Sequence, residues 1–101
     1  MRRVPKAQHW LFWEVDPARL DVDRDADTIL ARVLEHGRMV DVRWALSAYG
    51  RDRIHRFFRE VGHPELTPRT IAFWRAFFKA KDETWASPPA WRKSSSAPWI
   101  D

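Results

Sequence analysis

The stretch Ala26-Asp27-Thr28-Ile29-Leu30-Ala31-Arg32-Val33-Leu34-Glu35-His36-Gly37 decides the fold class. Its apolar residues Ala26, Ile29, Leu30, Val33 and Leu34 fall at i, i+3, i+4, i+7 and i+8, a spacing that lines them along one face of an α-helix. Acids crowd the first turn, where the helix dipole favours negative charge, and Gly37 stands just past the end. His36 occupies the last turn, where a cation is favoured. The same period recurs downstream. Val42, Ala45, Leu46 and Tyr49 precede Gly50, with Val40, Trp44 and Ala48 on a second face, so this helix is expected to be apolar on two sides and central. Ile54, Phe57, Phe58 and Val61 form a third stripe that stops at Gly62. Thr67-Pro68 then supplies an N-cap and a proline for the first helical position, ahead of a wide apolar band of Ile71, Phe73, Trp74, Phe77 and Phe78.

Upstream, His9-Trp10-Leu11-Phe12-Trp13 is an apolar run closed by Glu14-Val15-Asp16-Pro17, where Asp16 is placed to cap a turn begun by Pro17. The run reads as a short strand or an extended arm laid on the helices. From about Asp82 the helical period is lost: the segment 83–101 holds three prolines, four serines and the isolated Trp85, Trp91 and Trp99. The expectation is an all-α protein: a small four-helix domain over residues 1–81 with an extended N-terminal arm, then an irregular Trp/Pro/Ser-rich C-terminal tail over 82–101. Indoles are costly to leave in water, so the three tail tryptophans are expected to dock, first on this domain and otherwise on a partner.

A chain of 101 residues supports one modest core, burying roughly two-thirds of the surface that the unfolded chain exposes. Seven Trp and six Phe supply much of its apolar volume, more than one small core readily hides. The absence of Cys removes disulfides, thiolate catalysis and zinc-thiolate sites, and points to a reducing compartment, the cytoplasm. The opening MRRVPKAQHW has no apolar stretch behind its basic start, and no window approaches the roughly 20 apolar residues that span a bilayer, so no membrane role is expected.

Net charge is +4, unevenly spread. Residues 14–27 carry six acids against two arginines, whereas residues 51–81 carry eight basic residues against three acidic ones. The basic half makes DNA the alternative partner. The candidate phosphate contacts are Arg51, Arg53 and Arg56 on the third helix and Arg69, Arg75 and Lys79 on the fourth. Arg69, Arg75 and Lys79 stand beside small Ala72 and Ala76, on a side read as lying away from the aromatic band. Against this, the connection from Gly62 to Thr67 is longer than the turn of a typical helix-turn-helix.

Catalytic signals are lacking. Asp21, Asp23 and Asp25 alternate like a calcium loop, but the glycine and the final glutamate of such a loop are replaced by Ala26 and Arg32, so these acids are expected to cap the helix that follows. The histidines at 9, 36, 55 and 63 have no metal-binding spacing. Ser94, Ser95 and Ser96 have no neighbouring base, and no glycine-rich loop cradles phosphate. A non-enzymatic protein is expected, with no cofactor and no small-molecule substrate. Trp10, Phe12 and Trp13, together with Trp85, Trp91 and Trp99, are the candidate anchors for a protein partner, because large aromatic groups dominate interface hot spots.

Four pieces in order carry a family resemblance: Leu11-Phe12-Trp13-Glu14-Val15-Asp16-Pro17 with Leu20; Ile29 to Gly37; Val42-Arg43-Trp44 with Tyr49-Gly50-Arg51; and Leu66-Thr67-Pro68-Arg69-Thr70 with Phe73-Trp74. Over residues 10–78 they resemble a family of short uncharacterised prokaryotic proteins with an LFWDVD-P opening. Glu14 stands where that pattern has Asp, His36 where it has Tyr, and the Trp-rich tail lies outside it. Such proteins are often encoded beside nucleotidyltransferase-like toxins of the abortive-infection type. The resemblance therefore implies an antitoxin or accessory partner of such a toxin, and it supplies no catalytic residues.

Overall fold

A computed structural model describes residues 2–86. Four α-helices follow the N-terminal segment, as the periodicity predicts: α1 (Ala26–His36), α2 (Met39–Tyr49), α3 (Arg51–Glu60) and α4 (Pro68–Phe77). The N-terminal segment itself departs from the expected strand or extended arm. Lys6–Leu11 is a 3-10 helix, opened by extended Pro5 and held by i to i+3 bonds such as Gln8 N–H to Pro5 carbonyl at 3.0 Å. Three residues per turn put Gln8 and Leu11 on one buried face, which a strand's alternation would have split. The bridge between Arg3 and Asp21 is isolated, and no strand forms among the described residues. Asp16 caps the second 3-10 turn, Pro17–Arg19, accepting from the Ala18 N–H at 3.0 Å.

Helix α1 is the centre of the molecule. Its whole predicted stripe is buried, Ala31 and Arg32 are buried with it, and it contacts both the N-terminal 3-10 helix and α2. The central place expected for α2 is corrected. Only Asp41, Ala45 and Tyr49 are buried on α2; Val42, Trp44, Leu46 and Ala48 pack against the core half-buried, and Met39 and Val40 in the first turn are exposed. Gly37 is required at the α1–α2 joint by proximity: a Cβ there would meet the Val33 carbonyl oxygen at 2.4 Å. Gly50, at the α2–α3 joint, is required by conformation, since its φ of 86° is strained for any other residue.

The acids ahead of α1 act differently from the expected cap. Asp25 holds the N-cap position and its backbone carbonyl accepts from the Ile29 N–H, but its side chain does not cap the helix; the carboxylate accepts instead from the Asp21 N–H and from Arg24. Asp23 pairs with Arg2 at 2.7 Å and with Arg53 at 3.6 Å. Thr67 caps α4 as expected, its hydroxyl accepting from the Thr70 N–H. Past α4, Lys79 adopts a left-handed φ of 54° and turns the chain back. Arg75 fastens the return, donating to the carbonyls of Ala80 and Glu83 at 2.9 and 2.8 Å. Trp85 is thereby laid over Phe58 and Phe78, which closes the core. No helix among the described residues is long and apolar enough to cross a membrane.

Candidate partner-binding surface

Two buried polar centres shape the surface around the N-terminal 3-10 helix. The first is Arg32, a buried cation on α1 beside its apolar stripe. Its guanidinium donates to the Leu11 carbonyl at 2.8 Å, to both carboxylate oxygens of Glu14 and to Glu65 at 2.7 Å. Burying a charge this deeply is tolerable only with such complete pairing. The Arg32 hydrogen bond holds the Glu14 carboxyl down at about 2, and His36 joins the cluster through Glu65 at 3.1 Å.

The second centre is Asp41, fully buried in the first turn of α2. It accepts from the Arg38 backbone N–H at 2.8 Å and from the Gln8 amide at 3.1 Å, with Trp10 Nε1 at a long 3.5 Å. Burial pushes its carboxyl up, but these hydrogen bonds prevail and hold it below the usual range.

These centres position two indoles. The Arg32 guanidinium lies 4.5 Å from the Trp13 ring, and His36 meets the same ring edge-on at 6.1 Å. Arg38 lies 4.7 Å from the Trp10 ring. The two indoles therefore bracket the His36-Gly37-Arg38 joint, yet Trp10 remains 46% and Trp13 68% exposed. Exposed Met39 and Val40 follow directly from that joint.

The other sequence-predicted anchors separate. Phe12 is corrected: it is buried at the Arg32 cluster and forms core rather than surface. Trp85 is buried on this chain, between Phe58 and the Arg75 guanidinium, with its Nε1 on Glu83 at 2.8 Å. Trp91 and Trp99 lie outside the described residues.

The six basic candidates are not one surface of free cations either. Arg75 is spent on the returning chain, and Arg53 lies against Tyr49 and near Asp23. Arg56 is exposed, but its concavity, shared with Arg53, is also lined by Asp27 and Glu60. Arg51, Arg69 and Lys79 are exposed, with Arg51 lying over Phe77. The side of α4 read as facing away from the aromatic band is corrected too: Phe73 and Phe77 stand on the same exposed face as Ala72 and Ala76.

Sequence reasoning passed over Arg32, Asp41 and Gln8. At Arg32 the local sequence carries no signal of burial, because its same-face neighbours Thr28, Ile29, Glu35 and His36 are mostly polar and its partners Glu14 and Glu65 lie 18 and 33 residues away.

No curated protein and no solved structure matches this chain. An uncharacterised family does match, over the segment that runs from Gln8 through both polar centres to Phe58. The description of that family is a family of unknown function, DUF6922; its model covers residues 8–58, and the chain belongs to it.

Proposed function

We propose that this chain is a non-enzymatic, cytoplasmic protein-binding module that serves as antitoxin or accessory partner to a nucleotidyltransferase-like toxin and engages it through Trp10 and Trp13. The observation that carries the reading is the exposure of two indoles whose positions are already fixed by arginines. A ring held in place loses little conformational freedom on binding, and rigid Trp and Arg groups are the commonest interface anchors. The toxin as partner rests on the resemblance of the LFWEVDP opening and the segments that follow it.

A DNA-binding regulator is the weaker alternative. Its phosphate contacts would fall to Arg51, Arg56, Arg69 and Lys79, since Arg53 and Arg75 have intramolecular partners. Acids stand in the Arg56 concavity, where a phosphate-tracking groove needs uniform positive charge.

The test is affinity purification of the tagged chain from its native host at physiological salt, with and without nuclease treatment. A stoichiometric nucleotidyltransferase-like protein is expected, and Trp10→Ala/Trp13→Ala should release it while the far-UV spectrum is kept. Recovery of nucleic acid alone, lost on nuclease treatment, sinks the toxin reading in favour of the regulator.

A further inference from the structure

A second surface, remote in sequence from the Trp10–Trp13 face and beyond the family-matched segment, lies on α4. Arg69, Ala72, Phe73, Ala76 and Phe77 follow the i, i+3, i+4, i+7, i+8 spacing, and all five are exposed, Phe73 by 59% and Phe77 by 37%. The opposite side of the helix already seals the core with Trp74 and Phe78. Trp74 backs both exposed rings edge-on, at 5.4 Å from Phe73 and 4.9 Å from Phe77, so their positions are set before any partner arrives. Small Ala72 and Ala76 alternate with the rings and leave shallow seats for side chains of an approaching helix.

Charge selects the occupant. No acid occurs from Leu66 to Lys81, and the apolar stripe is framed by Arg69 at one end and by Arg51, 4.8 Å from the Phe77 ring, and Lys79 at the other. Among the described residues Arg51, Arg69 and Lys79 make no ion pair. A second copy fits poorly, because an antiparallel pairing of two α4 helices brings Arg69 of each against the cationic end of the other. The stripe also offers on the order of 300 Å², far short of the roughly 800 Å² per partner of a stable dimer. The chain's own segment 87–101 is mismatched as well, with Arg92 and Lys93 against Asp101.

We infer that the exposed face of α4 is a docking site for an acidic amphipathic helix of another protein, its apolar stripe laid on Phe73 and Phe77 and its carboxylates facing Arg51, Arg69 and Lys79. This is a helix-on-helix recognition mode in which apolar residues anchor and charge sets partner choice. The site is independent of the Trp10–Trp13 reading.

The test uses the full chain and two synthetic helical peptides with the same leucine stripe, one carrying glutamates and the other lysines at the flanking positions, read by fluorescence anisotropy. The glutamate peptide is expected to bind at least tenfold tighter at low salt, with the preference shrinking as salt rises. Phe73→Ser should weaken it at least tenfold, Arg69→Glu should abolish the preference for glutamate, and Trp10→Ala/Trp13→Ala should change neither. Equal affinity for the two peptides, or no binding, overturns the proposal. So does sedimentation showing a dimer that Phe73→Ser dissociates, or duplex DNA bound in place of the peptide and released by Arg69→Glu.

Discussion

Trp13 and Trp85 each lie 4.5 Å from an arginine guanidinium, Arg32 in one case and Arg75 in the other, yet Trp13 is 68% exposed and Trp85 only 7%. Trp10, against Arg38, behaves like Trp13. The difference lies on the second face of the ring. Phe58 stacks on Trp85 at 5.0 Å, and Glu83, delivered by the same returning chain, takes its Nε1. Among the described residues, the one ring beside Trp13 is His36, met edge-on. A cation holds an indole in place without hiding it; hiding it takes an apolar group on the other side. At Trp85 the chain supplies that group itself; at Trp10 and Trp13 the described residues do not, which is what the proposed partner would add.

This comparison breaks most visibly in stability. Trp85→Ala removes a large side chain from the core and should cost about 3–5 kcal/mol in urea unfolding, whereas Trp13→Ala should cost under about 1 kcal/mol. Equal losses would mean that Trp13 is core after all and unavailable to a partner.

Asp41→Ala tests whether the surface indoles are placed by the buried polar centres. It strips the acceptor from the Gln8 amide and the Arg38 N–H, for an expected loss of about 1–3 kcal/mol. It should also free Trp10, raising its quenching by acrylamide in a variant in which Trp13, Trp91 and Trp99 are replaced by Phe. Unchanged quenching would show that Arg38 alone fixes the ring.

The smallest effect is in pH. Glu14 sits at about 2 against an ordinary 4.5, through its hydrogen bond to Arg32, and Asp41 is lowered as well. A carboxyl lowered in the folded state contributes stability that is fully present above about 4.5 and is lost as pH falls towards 2. The urea midpoint should therefore fall between pH 5 and pH 2.5, and Glu14→Gln should flatten part of that slope. A Glu14→Gln profile that superimposes on the wild type would place the acid sensitivity elsewhere.

Much of this architecture is written in the sequence. The stripe from Ala26 to Leu34, the Thr67-Pro68 start of α4 and the Asp16 cap act locally, through helical period and hydrogen bonds within a turn, so they were predictable from neighbouring residues alone. The 3-10 form of Lys6–Leu11 was not, because a short apolar run suits several conformations and the choice is made by what it packs on. The candidate site divides in the same way. Sequence nominated Trp10, Phe12 and Trp13 together as large apolar groups, and only tertiary packing sent Phe12 inward and left the two indoles outside. Arg32 meets Glu14 and Glu65 across 18 and 33 residues, and Gln8 meets Asp41 across 33. Residue type and period fix what each segment wants to bury; which ring finds a second apolar face is decided by contacts between segments far apart in the chain, and local sequence does not encode them.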